Sequence, residues 1–365
     1  MIKLLHMADL HLGGRLSLFS SRAAAAWRER QLSALEQLLA SGCERGAQIV
    51  LLAGDVFDTP FPEPALVARF FGILRALPVP VVIAPGNHDY LCAGGGWREA
   101  LPTNVYLFED AALRYFDFPA LDLRVYGYAF TAEAMAAPAL HIQGDGPGCS
   151  VLLAHADLLS PLSPYAPISG AQLSVSGFHY AALGHIHNAP GLRRYGQSAA
   201  AYSGFFAGRG FDELGEGGAL LVEISGGFVD AEPIRSSAGC FVSVELDCTG
   251  DLNGEDLRLR LRRFLEEQCF EVQTALRVRL VGSVGLSCHA ELSALTPLGE
   301  GLAYFEVIDE TLPIYDAAYL EKEPTLFGAY YRALLPRLTA ADAETRLTAA
   351  EALRLGFAAL SGREV

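Results

Sequence analysis

Five short polar motifs, each placed directly after an apolar run, constrain this chain more than any other feature. Asp9-Leu10-His11 follows Ile2–Met7, and Gly54-Asp55-Val56-Phe57-Asp58 follows Gln48–Ala53. Gly86-Asn87-His88-Asp89 follows Val79–Ala84, His155 follows Ser150–Ala154, and Gly184-His185-Ile186-His187 follows Tyr180–Leu183. Short apolar runs bounded by turn residues read as buried strands. In open α/β sheets, ligands gather beyond the carboxyl ends of the strands. A fold that aligns these strands therefore brings all five motifs to one edge. A lone D-x-H or H-x-H is ordinarily an accident of surface or core histidines, so the argument rests on the ordered set.

The segments between the motifs predict a layered α/β fold. Arg22–Arg45 has helical spacing, with Trp27, Leu32, Leu35, Leu38 and Leu39 on one side. Glu63–Ala76 reads as a second helix opened by prolines. Further on, Leu113–Phe118 and Leu121–Tyr128 read as a hairpin, and Leu192–Tyr195, Ala199–Ser203 and Ala219–Ile224 as strands. Two mixed sheets packed face to face with helices outside fit this order. Pro138–Gly148 reads as a surface loop.

After Ile234–Gly239 the pattern changes. Strands over Phe241–Leu246, Ala275–Val281 and Tyr304–Ile308, with a charged helix over Glu255–Gln268, read as a small α+β unit. Asp316–Leu335 and Ala340–Leu360 read as two helices broken near Pro336, the second with an apolar stripe of Leu347, Ala350, Leu353, Leu355 and Leu360. The expected domains are 1–235, 236–312 and 313–365.

Composition narrows the class. At 365 residues the chain exceeds one ordinary domain, and 51% hydrophobic residues supply a sizeable core. No apolar run reaches the ~18–20 residues that span a bilayer, and the N-terminus lacks the pattern of a signal peptide. Seven cysteines without a CxxC pair argue against a disulfide framework or a thiolate zinc site. The expectation is a reduced cytoplasmic protein with no membrane association. A net charge of −15 argues against a general nucleic-acid binder, although divalent ions would add positive charge inside a cleft.

The motif residues themselves suit metal binding. Residues i and i+2 of an extended chain share a face, so Asp9 and His11, and likewise His185 and His187, are expected to grip together. Gly54 and Gly86 permit sharp turns that lift Asp55 and Asn87 out of the strand ends. The candidate ligands are Asp9, His11, Asp55, Asn87, His155, His185 and His187. Carboxylate, imidazole and amide donors without thiolate suit Mn, Fe or Zn. Seven ligands exceed what one ion needs and point to two ions, which at ~3.5–4 Å apart activate a bridging hydroxide for phosphoryl transfer. His88 is left over to hydrogen-bond a phosphate oxygen or to protonate a leaving oxygen, with Asp89 expected to fix its tautomer.

Other residues carry weaker readings. Arg209, in a glycine-rich turn, and Asp58 are candidate substrate contacts. Turn packing is the rival role for Arg209, and support of a ligand the rival for Asp58. His6 is expected in a buried structural role, and His179 near the site without binding metal. His141 and His289 read as loop histidines. Arg258, Arg260, Arg262 and Arg263 read as a solvated helix face.

The series D-x-H, G-D-x-x-D, G-N-H-D, H, G-H-x-H resembles the signature of calcineurin-like metallophosphoesterases. Over roughly residues 1–225, this resemblance implies a four-layer α/β-β/α sandwich. It also implies one metal held by Asp9, His11, Asp55 and His187, and a second by Asp55, Asn87, His155 and His185. Five longer runs are more specific. His6-Met7-Ala8-Asp9-Leu10-His11-Leu12-Gly13 and Gly177–His187 resemble SbcD-type exonucleases, with His179 where an aspartate is usual. Tyr202-Ser203-Gly204, Gly208–Glu213 and Gly217–Ile224 resemble the bacterial YhaO-like branch. Some relatives carry a histidine where this chain has Asp58. The resemblance implies a DNA-repair nuclease using two divalent ions, Mn²⁺ first, and a coiled-coil ABC-type ATPase partner. A capping domain at 236–312 and a homodimer are implied as well. The rival readings are a phosphodiesterase or phosphatase on smaller substrates, and a non-catalytic scaffold. The complete ligand set argues against the scaffold.

Overall fold

The apolar runs form the middle strands of two stacked sheets. The computed structural model describes residues 1–98, 100–140, 148–188, 191–251, 253–284, 292–313 and 316–360. The chain divides into two compact units, Met1–Phe241 and Val242–Val365.

Twelve strands lie in the first unit: β1 (Ile2–Met7), β2 (Ile49–Leu52), β3 (Val81–Ile83), β4 (Val105–Leu107), β5 (Arg114–Phe118), β6 (Leu123–Gly127), β7 (Cys149–His155), β8 (Tyr180–Gly184), β9 (Arg193–Tyr195), β10 (Ser198–Tyr202), β11 (Gly218–Ser225) and β12 (Phe228–Arg235). One sheet has the order β12-β11-β1-β2-β3-β4, the other β5-β6-β7-β8-β10-β9. β1 to β4 run parallel, as do β6, β7, β8 and β10, while β11, β12, β5 and β9 are antiparallel additions. The motif-bearing strands thus point the same way within each sheet.

Alternation along the strands builds the layers. Leu4, Ile49, Leu51 and Val82 meet Val151, Leu153, Tyr180 and Ala182 between the sheets. The opposite face of the first sheet, with Leu5, Met7, Val50, Leu52 and Ile83, packs under α1 (Ser21–Glu44) and α2 (Pro64–Arg75). Ser20 caps α1, whose buried side carries Trp27, Leu32, Leu35, Leu38 and Leu39. Pro64 opens α2, which buries Val67, Phe70, Phe71 and Leu74. Beyond the second sheet, Leu152, Ala154, Ala181 and Leu183 pack against Leu173 of α3 (Gly170–Ser176). Three apolar layers separate four structural layers, as expected for this α/β class.

In the second unit, β13 (Cys240–Asp247), β14 (Thr274–Val281) and β16 (Tyr304–Asp309) form one sheet, and β15 (Ser283–Val284) pairs with β17 (Leu312–Pro313). Leu257 and Leu261 of α4 (Gly254–Gln268) bury against Leu276, Val278 and Leu280. Three short or terminal helices follow α5 (Leu292–Leu295): α6 (Ala317–Leu320), α7 (Leu326–Leu338) and α8 (Ala343–Leu360).

Several expectations are corrected. The break between the last two helices falls at 339–342, just after Pro336, which lies inside α7 close to its end. A further interruption at 321–325 splits the first of the two expected helices into α6 and α7. The buried seam of α8 is Ala349, Leu353 and Phe357; of the stripe read from the sequence Leu353 is buried, Leu355 and Leu360 are half-buried and Ala350 is exposed, while the Leu347 side chain lies outside the described residues. β12 went unread because Pro233 and its acidic residues mask a strand, and they are tolerated because it is an edge strand. Residues 141–147 of the expected loop, with His141 and His289, lie outside the described residues.

Candidate metal centre

All five motifs sit at the carboxyl ends of β1, β2, β3, β7 and β8. The turns that bring them together are not extended, contrary to the i, i+2 expectation. β1 ends at Met7 and β8 at Gly184. Asp9, His11, Asp55 and His185 have φ of 52°, 42°, 50° and 103°. These are four of the seven non-glycine residues with positive φ among the described residues, so the strain there is concentrated at the motifs. Each such residue costs about 1–3 kcal/mol and persists only where its surroundings hold it. Hydrogen bonds supply that hold: Asp9 N–H donates to Gly54 O at 3.1 Å, and His11 N–H to Asp55 O at 2.9 Å.

Gly54 and Gly86 act differently. Gly54 adopts φ +89°, and a Cβ there would lie 2.4 Å from the His155 ring. Gly86 does not have a positive φ; it is needed because a Cβ would lie 2.2 Å from Asp55 Oδ1. Absence of a side chain is what lets Asp55 reach the middle of the site.

The candidate ligands converge; five of the seven are buried, and His185 and His187 are half-buried. Asp9, His11, Asp55 and His155 are at most 2% exposed, and Asn87 is 7% exposed. Asp9, His11 and His187 bring ligand atoms within 4.8 Å of one another, as do Asp9, Asp55 and His155. His185 stands beside these groups. Its ring centroid is 5.2 Å from that of His155, and its backbone N–H donates to the Asp9 carboxylate at 3.1 Å.

Hydrogen bonding decides which ring nitrogens carry lone pairs. His11 Nδ1 lies 3.0 Å from Asp58 Oδ1, and His187 Nδ1 lies 2.7 Å from Glu213 Oε1. His155 Nδ1 donates to the carbonyl of Ala53 at 3.0 Å. In neutral imidazoles this leaves every Nε2 as an acceptor. Those acceptors face other acceptors: His11 Nε2 is 3.3 Å from His187 Nε2 and 3.7 Å from Asp55 Oδ2. His155 Nε2 is 2.9 Å from Asn87 Oδ1 and 3.4 Å from Asp55 Oδ2. Buried lone pairs aimed at one another are unfavourable unless positive charge lies between them. The donor set therefore fits cations, and its N/O chemistry fits borderline divalent ions.

The titration tendencies agree. Burial pushes Asp9 up to about 8. Burial also acts to raise Asp55, yet His155, His11 and His88 outweigh it and hold its carboxyl low. Burial lowers His11 and His155, and lowers His185 to about 4 with help from His155. His187 is raised despite burial, because Glu213 and Asp9 favour positive charge there.

His88 is more open, with 44% of its side chain exposed, and its ring centroid lies 4.8 Å from that of His11. Its Nδ1 faces Asp58, 3.3 Å from the backbone oxygen and 3.9 Å from Oδ1. Asp89 therefore does not take the expected role of fixing the His88 tautomer. Its carboxylate accepts from the N–H groups of Gly86, Val56 and Phe57 at 2.7, 2.8 and 3.2 Å. It ties two motif loops together, and burial pushes it up to about 7.

Arg209 and Asp58 face each other at 2.9 Å, so their charges are already partnered. Glu213, only 3% exposed, is not among the residues expected at the site; the sequence offers Gly208–Glu213 as a glycine-rich turn and a run of family resemblance, with no role for its carboxylate. His6 is buried as expected, bonded to Tyr180 Oη and Leu183 O. His179 does not lie near the site. It precedes β8, and its Nδ1 accepts from Ser150 N–H near the start of β7, a strand length away from His155 and His185. Arg258 and Arg260 pair within their own unit with Glu255 and Asp251.

Comparison with known proteins fits this geometry. The metallophosphoesterase YhaO of Bacillus subtilis is 28% identical over 260 residues, covering 67% of this chain and 63% of that protein. The DNA double-strand break repair protein Mre11 of Aeropyrum pernix is 27% identical over 273 residues, covering 68% and 64%. Mre11 of Saccharolobus solfataricus is 26% identical over 216 residues, covering 56% and 54%. The chain thus spans less than two thirds of the length of these relatives. Family members bind divalent metals and hydrolyse phosphoesters. Residues 2–189, the stretch that carries all five motifs, match the model of the calcineurin-like phosphoesterases, and the chain belongs to that family.

Proposed function

We propose that the protein is a metal-dependent nuclease that hydrolyses DNA phosphodiester bonds, acting in DNA repair. The observation that carries the hydrolytic part is the meeting of the His11, His155 and His187 Nε2 lone pairs with Asp9, Asp55 and Asn87 oxygens in a buried cluster. The choice of DNA rests on the relatives named as double-strand break repair proteins.

In this reading Asp9, His11, Asp55 and His187 hold one divalent ion, and Asp55, Asn87, His155 and His185 a second. Mn²⁺ is the first choice, and Fe or Zn suits the same donors. Bound divalent ions supply Lewis acidity that polarises a phosphoryl oxygen and makes water a better nucleophile. Asp55 lies between the two ligand groups and couples them. His88, exposed and steered by Asp58, stands where a phosphate enters. As a water oxygen joins phosphorus and the P–O ester bond breaks, His88 gives its proton to the leaving oxygen. A cleft of about 490 Å³ bordered by His187, Tyr202, Phe205 and Leu214 offers room for a flanking nucleotide. A cytoplasmic location, a coiled-coil ABC-type ATPase partner and a homodimer belong to the same reading. So does the division into a catalytic domain (1–235), a capping domain (236–312) and terminal helices (313–365).

The net charge of −15 favours a second reading, a phosphodiesterase acting on small nucleotides. End-labelled linear duplex and single-stranded DNA, incubated with Mn²⁺, separates the two. Shortening by the wild type and none by Asp55→Ala supports the nuclease. Intact DNA alongside metal-dependent cleavage of a small chromogenic diester, with or without added ATPase partner, supports the second reading.

A further inference from the structure

Two carboxylates orient the histidines of the first ligand group, and one side chain joins them. Asp58 Oδ1 receives His11 Nδ1 at 3.0 Å, and Glu213 Oε1 receives His187 Nδ1 at 2.7 Å. Arg209 Nη1 donates to that same Asp58 Oδ1 at 2.9 Å, while its Nη2 and Nε donate to Glu213 Oε1 at 2.7 and 3.2 Å. Its backbone N–H adds a bond to Glu213 Oε2 at 2.9 Å. The result is a chain of contacts from His11 through Asp58, Arg209 and Glu213 to His187, whose Nε2 returns to within 3.3 Å of His11 Nε2. The turn that carries Arg209 packs closely against Glu213. A Cβ at Gly208 would lie 2.9 Å from both Glu213 O and the Phe241 ring, and one at Gly14 would lie 3.5 Å from Arg209 Cδ.

We propose that Arg209 is a positioning residue that sets the distance and angle between His11 and His187 by clamping Asp58 and Glu213. Two of its nitrogens serve one carboxylate and a third serves the other, a planar fork that lysine cannot reproduce. The proposal rests on the reading of the cluster as a metal centre. Its sign separates it from plain electrostatics. A guanidinium beside a cation site repels the cation, so removing it would tighten metal binding if charge were all that mattered. Removing a clamp loosens binding, and partners that orient metal-bound histidines are worth about 10–100-fold in affinity.

The test is calorimetric titration of the full chain with Mn²⁺, comparing wild type, Arg209→Lys and Arg209→Met, with thermal melting of each metal-free protein. The expected result is that both variants bind one Mn²⁺ about 10–100-fold more weakly. The other ion is held as in the wild type, and the metal-free melting temperatures stay close. Equal or tighter binding by Arg209→Met overturns the clamp, as does full affinity in Arg209→Lys. A metal-free melting temperature that collapses in both variants overturns it too, by showing a fold-wide role. A wild type that binds no Mn²⁺ overturns the metal reading itself, and the clamp with it.

Discussion

His11 and His187 face each other with Nε2 atoms 3.3 Å apart, while the Nδ1 of each is turned to a carboxylate. They approach from different sheets, one following β1 and the other β8. His11 is buried and His187 half-buried, and the opposition of their two acceptors is the feature on which the proposed cation site rests.

Removing His88 should separate chemistry from binding. His88 lies at the rim with its ring beside His11, outside the proposed ligand set. For His88→Ala we expect a fall of about 10²–10⁴-fold in kcat on DNA, the range for loss of a positioned proton donor. The number of Mn²⁺ ions bound should stay the same. Near-wild-type turnover, or loss of metal, would contradict the assignment.

Asp89 should behave as a structural residue. Its buried carboxylate satisfies three backbone N–H groups in the two loops that carry Asp55 and Asn87. Asp89→Ala leaves those donors without their acceptor, at about 1–3 kcal/mol for each group that stays unsatisfied. Denaturant unfolding should show a clearly lower midpoint in metal-free protein. An unchanged midpoint would sink this role.

Acid sensitivity should be traceable in part to His6. Burial lowers its pKa from 6.5 to about 3. The folded state therefore keeps His6 neutral, while the unfolded chain takes up a proton as pH falls through 6.5. Stability is full above that value, declines between 6.5 and about 3, and declines no further below. From pH 7 to 5 the linked loss is about 2 kcal/mol. Urea melts at both pH values should show a smaller pH-dependent loss for His6→Gln than for the wild type. Equal losses would assign acid sensitivity elsewhere.

Metal should stabilise the fold. A ligand bound only by the native state at 100 times its Kd adds about 2.7 kcal/mol. Mn²⁺ should raise the melting temperature of the wild type, EDTA should reverse the rise, and His155→Ala should show a smaller one. A melting temperature that ignores Mn²⁺ would contradict the prediction.

Much of this organisation was legible because buried parallel strands announce themselves. Ile49–Leu52 and Val151–Ala154 have no polar residue, so their ends, and the motifs after them, stand out. What failed was local geometry. The sequence pattern of Asp9 and His11 suggests an extended pair, whereas tertiary hydrogen bonds from their N–H groups to the carbonyls of Gly54 and Asp55 hold both in left-handed conformations. Asp89 sat beside His88 in sequence and was assigned to it. Three N–H groups compete for that carboxylate, and Asp58, thirty residues earlier, takes the place instead. Glu213 was invisible for the same reason: its partner His187 is supplied by a different strand end. Edge strand β12 shows the converse, where Pro233 and the acidic residues hide a strand that an edge position tolerates.

The most direct test is an anomalous difference map from crystals grown with Mn²⁺. Two peaks should appear. One should lie within bonding distance of the Nε2 atoms of His11 and His187, the other within bonding distance of His155 Nε2, with Asp55 touching both. A map with no peak between His11 and His187, or with Mn²⁺ only on surface carboxylates, would contradict the metal centre.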